Sequence, residues 1–327
     1  MSSLAEMLRA TPYVSYIYAY PHKTAYRPFP EPLRLEALWA QEDRRSLFLY
    51  MHVPFCEMRC GFCNLFTTVD PAASLTARYL DAIERQARRV RAALGEVTIA
   101  RMALGGGTPT FLDVAGLRRL FDIAEGLFGV VPGSVPTSVE TSPLTAEPAS
   151  LRLLRERGVD RISLGVQSFN EAEVHAAGRA QQTAAVGAAL EAIRAAGFPT
   201  LNIDLIYGLP GQTVASWLES LQAALRYRPE ELYLYPLYVR PLTGLGRQSQ
   251  RQAEAHSLGI GNGEESPATA GSPQDDLRME CYREARALLL DAGYTQVSMR
   301  MFRAAHAPAE TGPVYCVQDD GMIGLGC

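Results

Sequence analysis

From residue 47 onward the chain alternates short apolar runs with longer stretches in which apolar residues recur every three or four positions. The runs predict strands over 47–53, 99–104, 136–141, 161–166, 201–206 and 231–237. The stretches between them predict helices over 75–95, 114–128, 147–157, 182–196 and 214–227. Gly158 and Gly197 follow the third and fourth helices, and Pro210-Gly211 with Thr213 precede the fifth, as stop and start signals should. Leu201–Ile206 is mostly apolar, which suits a parallel strand covered by helices. Repeated βα units imply right-handed crossovers and a parallel sheet, hence an α/β fold. Six units fall short of the eight of a full barrel.

Three parts lie outside this alternation. Residues 1–46 form an N-terminal arm whose stretch Tyr13-Val-Ser-Tyr-Ile-Tyr-Ala-Tyr-Pro-His-Lys-Thr-Ala-Tyr26 is rich in tyrosine, which suits amphipathic rings packed on the core. Residues 246–276 turn to Gln, Ser, Glu, Ala, Gly and Pro and read as a flexible insertion between the 47–245 core and the 277–327 region. Helical periodicity resumes over Leu277–Leu290, followed by a short strand at Thr295–Met299. The final Gly321-Met-Ile-Gly-Leu-Gly-Cys327 reads as an apolar strand or turn cut before its packing partners, so a truncated C-terminal region is expected.

Apolar residues make up 47% and charged ones 20%, so a sizeable core is expected. The net charge of −4 gives no electrostatic case for nucleic acid or membrane. No apolar run approaches the roughly 20 residues of a spanning helix. Six cysteines without a signal peptide fit a reducing cytoplasm, where thiols stay available as ligands.

Cys56, Cys60 and Cys63 change the picture. They lie within eight residues directly after the first strand, in His52-Val-Pro-Phe-Cys-Glu-Met-Arg-Cys-Gly-Phe-Cys63. A closed zinc site and a ferredoxin-type cluster each want four ligands. Three thiolates on one loop suit a cubane 4Fe–4S cluster whose fourth iron is left for a small molecule. The alternatives are a zinc site completed by His52 or a distant Cys, buried inert thiols, and a disulfide. Glu57, Met58 and Arg59 speak for an exposed loop, and an odd count speaks against pairing.

The spacing resembles that of the radical S-adenosylmethionine (SAM) superfamily, with Phe62 as the expected aromatic before the last Cys. Tyr50-x-His52-x-Pro54-Phe55-Cys56, Gly105-Gly-Gly-Thr-Pro-Thr110, Gly165-Val-Gln167-Ser-Phe169 and Asn202-Ile-Asp-Leu-Ile-Tyr-Gly-Leu-Pro210 are similar, in order, to the oxygen-independent coproporphyrinogen III oxidase-like family. That family includes haem chaperones and class C radical SAM methyltransferases. The resemblance implies a partial (β/α)6 barrel holding a 4Fe–4S cluster on Cys56, Cys60 and Cys63, with SAM at the strand carboxyl ends.

It further implies SAM contacts from Gly106, Gly107, Thr108, Glu140, Gln167, Arg179 and Asp204, with Tyr50, Phe62 and Val239 packing around adenine and methionine. Arg179 is expected to pair with the methionine carboxylate. Asp204 is the most anomalous polar residue, a carboxylate inside an apolar strand that needs partners. His22 and Lys23 on the tyrosine-rich arm become candidate substrate contacts. The implied chemistry is reductive cleavage of SAM to a 5′-deoxyadenosyl radical, then oxidative decarboxylation in porphyrin biosynthesis. The implied partners are a tetrapyrrole-like small molecule and an electron donor such as flavodoxin or ferredoxin. For a haem chaperone, His22, Cys281 and Cys316 would be the axial candidates; for a methyltransferase, a second SAM would supply a methylene. No catalytic side chain beyond the cofactor contacts follows from the sequence.

Overall fold

The structure, a computed structural model, describes residues 27–257, 273–309, 312–317 and 319–326. The tyrosine-rich stretch through Tyr26, with His22 and Lys23, lies outside the described residues, as does Cys327. The strands are β1 (Leu47–Val53), β2 (Phe55–Cys56), β3 (Thr68–Val69), β4 (Ile99–Gly106), β5 (Thr137–Thr141) and β6 (Arg161–Gln167). They continue with β7 (Thr200–Tyr207), β8 (Glu231–Pro236), β9 (Tyr294–Gln296), β10 (Met301–Ala304) and β11 (Met322–Leu325). β1 and β4 to β8 lie side by side in chain order, every neighbouring pair parallel. This is the α/β arrangement expected of six βα units. The sheet is flanked by β11 beside β1 and by β10 and β9 beside β8, with β2 and β3 in a separate pair.

The five helices expected in the core run over Ala73–Leu94, Val114–Phe128, Pro148–Glu156, Thr183–Ala196 and Val214–Leu225, each within two residues of its expected bounds, with a further short helix at Glu171–Ala176. Their ends are built locally. The Asp113 carboxylate accepts from the Gly116 N–H at 2.7 Å, Gly197 closes its helix at φ 71°, and Thr213 and Ser216 form a reciprocal capping box. Helices cover one face of the sheet. Leu47, Leu49, Met51 and Val53 of β1, with Ile162 and Leu164 of β6 and Ile203 and Leu205 of β7, are fully buried in that layer. The alternate positions form a second, inner face with a different chemistry. Strand register sets Ser138 beside Arg161, Glu140 beside Ser163, Ser163 beside Asn202, and Gly165 beside Asp204.

Two expectations are corrected. The stretch expected to be loop from residue 246 is entered by a helix over Gly244–Ser257, and the next helix already begins at Pro273. Arg247-Gln-Ser-Gln-Arg-Gln-Ala-Glu-Ala255 lacks apolar periodicity but is rich in good helix formers. The Gly-rich end does have packing partners: β11 pairs in parallel with β1, burying Ile323 and Leu325. No helix of the described residues is long and apolar enough to cross a membrane.

Candidate cofactor site

β1 delivers the chain into a loop that β2 and β3 close on itself, with Thr68 N–H donating to the Pro54 carbonyl at 2.7 Å and Asp70 N–H to that of Cys56 at 3.0 Å. Cys56, Cys60 and Cys63 hang from this loop as free, half-buried thiols. The loop is clamped at its centre: Gly61 N–H donates to the Ala177 carbonyl at 3.0 Å, and the Gly61 carbonyl accepts from Leu245 N–H at 2.8 Å. Burial pushes the Cys56 thiol up to about 11 and raises that of Cys60 as well, the latter opposed by the Arg179 guanidinium. Thiols so placed are neutral on their own and become thiolates when a metal supplies positive charge.

The turn after β4 presses on this loop. Gly107 N–H donates to the Val53 carbonyl and Thr108 N–H to that of Phe55, both at 2.7 Å. A Cβ on Gly107 would lie 2.6 Å from the Phe55 oxygen and 2.9 Å from Cys56 Sγ, so glycine is what permits the approach. The Thr108 hydroxyl reaches Cys56 Sγ at 3.6 Å. Gly106 takes φ 110° with its Cα against the His52 ring, a conformation closed to other residues.

The inner face continues the site downward. Glu140 accepts from Gly106 N–H at 3.1 Å. Its side chain is exposed at the inner face, yet the surrounding wall desolvates the carboxyl, and with the charge of Asp204 this pushes it up to about 7. Asp204 is raised by burial, against hydrogen bonds from Asn202 Nδ2 at 2.8 Å and Ser163 Oγ at 3.0 Å. Two neighbouring carboxylates that repel each other make a favourable seat for a ligand carrying positive charge, as SAM does in its sulfonium and ammonium groups. Gln167 ends β6 at φ 70°, a left-handed conformation for a non-glycine residue, beside a register shift between Gly165 and Gln167. Backbone strain of that kind concentrates at ligand sites.

Arg179 is buried, and each of its three nitrogens has a partner: Nε on Gln181 Oε1 at 2.8 Å, Nη2 on the Gly165 carbonyl at 2.8 Å and Nη1 on Cys60 Sγ at 3.2 Å. The guanidinium expected to meet a carboxylate is thus seated against the Cys60 thiol. The Tyr50 hydroxyl meets His52 Nδ1 at 3.1 Å. Phe62 packs with Ala177, Ile206, Leu209 and Leu245, whereas Val239 stands 42% exposed on the loop after β8. The other thiols are elsewhere: Cys281 is wholly buried in the main core, and Cys316 donates to Asp319 at 3.2 Å before β11.

Sequence reasoning missed Gln181, Ser163, Asn202 and Tyr235. Asn202 shares the face of Asp204 by strand alternation, a signal available in advance; Tyr235, whose hydroxyl is raised first by burial and then by the charge of Asp204, had none. Among the described residues, no group of three or more His, Cys, Asp or Glu is gathered to hold a single metal ion. Among the described residues a closed four-ligand zinc site is therefore not built, whereas a cubane takes one thiolate per iron and needs no such convergence.

Comparison with known proteins agrees with this geometry. Residues 50–224, more than half of the chain, match the family model of the radical SAM superfamily. The oxygen-independent coproporphyrinogen III oxidase of Escherichia coli is 30% identical over 294 residues, covering 88% of this chain and 60% of that protein. The heme chaperone HemW of Bacillus subtilis is 32% identical over 194 residues, covering 59% of this chain and 51% of that one. The solved structure of the Escherichia coli coproporphyrinogen III oxidase HemN, described as a radical SAM enzyme, superposes with a TM-score of 0.78 at 26% identity over all of this chain and 72% of its own. The chain spans little more than half the length of the curated relatives it matches.

Proposed function

The chain belongs to the radical SAM superfamily, whose cofactors are a 4Fe–4S cluster and SAM, and on that premise we propose that it abstracts hydrogen from a small molecule in the manner of coproporphyrinogen oxidases. The observation that carries the reading is the seat itself: three free thiols on one clamped loop, with Gly107 against Cys56 Sγ. A bound cluster and SAM would together supply one-electron reductive cleavage chemistry at this seat.

In this reading Cys56, Cys60 and Cys63 hold three irons. Gly106, Gly107 and Thr108 bring backbone within reach of SAM, Glu140 and Asp204 face its cationic groups, and Gln167 offers an amide that both donates and accepts. Tyr50, Phe62 and Val239 shield its apolar parts. Arg179 steadies the thiolate of Cys60 and stays close enough to reach a ligand carboxylate. Helices on one face and the loops above keep water from the reacting atoms. An electron donor such as flavodoxin or ferredoxin supplies the electron, and a tetrapyrrole-like substrate provides the hydrogen.

The test is anaerobic reconstitution with iron and sulfide, then reduction with SAM and coproporphyrinogen III, with nucleosides and porphyrins followed by mass spectrometry. Release of 5′-deoxyadenosine matched by a vinyl product and carbon dioxide supports the full reading. Nucleoside without porphyrinogen loss refutes the substrate alone, and an intact cluster with no nucleoside refutes the radical chemistry. The likeness to HemW favours a second reading, a haem chaperone on the same scaffold. Haem bound one to one without SAM cleavage would establish it.

A further inference from the structure

The inner face holds a second cavity that none of the proposed cluster or SAM residues lines. It has a volume of about 680 Å³ and opens among the amino ends of β4 to β8, the end opposite the cluster loop. That size lies within the range of small-molecule sites. Its charged lining comprises the guanidiniums of Arg101, Arg155, Arg161 and Arg303 against the carboxylates of Asp160 and Glu231, an excess of two positive charges among the described residues.

The excess is built into the wall. Glu231, with a side chain only 5% exposed, is shared by two cations: Arg161 Nε donates to it at 2.7 Å and Arg303 Nη1 at 2.9 Å. A second donor of Arg161, Nη1, is held by Ser138 Oγ at 2.9 Å, and its guanidinium lies over the Tyr233 ring at 5.6 Å. One carboxylate between two guanidiniums leaves a net positive charge in the wall of a half-open cavity, which a fixed anion would compensate. Asp204, the next carboxylate along, lies on the cofactor side and is already engaged by Asn202 and Ser163. Four strand residues separate the Asp204 level from that of Thr200, opposite Arg161, about 13 Å of strand. The inner face is therefore polarised along its axis, acidic toward the cluster loop and basic at the strand amino ends. Between the basic groups the lining is apolar, with Phe48 and Tyr315 in ring contact at 5.6 Å beside Met102 and Pro136.

We propose that this cavity is a ligand site for an amphipathic organic carboxylate, with its anionic group among Arg101, Arg161 and Arg303 and its apolar body against Phe48 and Tyr315. This goes beyond the radical SAM reading and does not depend on it.

Calorimetric titration with 2-naphthoate and its neutral isostere 2-naphthamide tests it, on the cluster-loaded chain and on the Cys56→Ala, Cys60→Ala, Cys63→Ala triple variant. The expected result is one naphthoate per chain, bound at least tenfold more tightly than the amide and equally by both proteins. Arg101→Glu should weaken naphthoate at least tenfold by reversing a lining charge, and Ala103→Leu should do so by filling the cavity at unchanged charge. No binding at millimolar naphthoate, equal binding of the amide, or wild-type affinity in either folded variant overturns the proposal. Because the triple variant carries no cluster, the outcome stands apart from that of the SAM-cleavage test.

Discussion

Replacing Gly107 by alanine tests the packing of the cofactor seat without removing any of its thiols. The new Cβ would lie 2.6 Å from the Phe55 carbonyl oxygen and 3.0 Å from the Phe55 nitrogen, against the 3.4 Å at which ordinary contact begins, a shortfall of about 0.8 Å at the oxygen. Those atoms are backbone and cannot swing away, so the two loops must part. Parting stretches the 2.7 Å hydrogen bonds from Gly107 and Thr108 toward the limit of useful geometry. Overpacking of this kind costs about 1–3 kcal/mol. Cys56 Sγ, 2.9 Å from the same Cβ, is displaced as well. Chemical unfolding of the cluster-free protein should show the loss, and iron and sulfide counts after reconstitution should fall below those of the wild type. Gly126 provides the control: it sits in the last turn of the Val114–Phe128 helix, and a Cβ added there would meet nothing within 4 Å. Gly126→Ala should be neutral or stabilising by up to about 1 kcal/mol. A Gly107→Ala protein as stable as the wild type and fully loaded with iron would refute the claim that the close approach requires glycine.

Four further outcomes are expected. The Glu140 carboxyl, raised from 4.5 to about 7, binds its proton more tightly in the folded state, so it lowers stability progressively as pH rises from about 4.5 to 7; unfolding curves of Glu140→Gln should be flatter over that window in the absence of ligand. Asp204→Asn should weaken SAM binding about ten- to a hundredfold in equilibrium dialysis while leaving the iron content unchanged. Cys281→Ser places an extra hydroxyl in the main core and should destabilise more than Cys281→Ala in thermal unfolding, with neither altering the cluster spectrum. Thr213→Ala removes the capping box of the Val214–Leu225 helix and should cost about 1 kcal/mol in urea unfolding.

The six core strands were legible because each presents apolar residues to the helical layer in a short run, and the helices because their periodicity and glycine stops are local. β10 and β11 were harder to see. Met301-Phe-Arg-Ala304 and Met322-Ile-Gly-Leu325 are four residues each, and they become strands through pairing with β8 and β1, partners distant in the chain. The Gly244–Ser257 helix was read as loop because apolar periodicity was the signal sought, and this helix has little apolar content. At the site, spacing alone singled out Cys56, Cys60 and Cys63 as candidates, and the misfit of a carboxylate in an apolar strand singled out Asp204. The sequence could not show that Arg179 leans on Cys60 with Gln181 behind it, since that contact joins residues 119 positions apart. The Arg161–Glu231–Arg303 trio was invisible for the same reason: three strands must be set side by side before one carboxylate is seen to serve two cations.

The central claim is that the three loop thiols carry an open cubane cluster that takes SAM. Electron paramagnetic resonance of the reduced, anaerobically reconstituted protein tests it most directly. A signal from a cluster of about four irons, shifted on addition of SAM and absent from the Cys56→Ala, Cys60→Ala, Cys63→Ala variant, is the predicted result. A signal that ignores SAM, or that survives loss of all three thiols, would contradict the account.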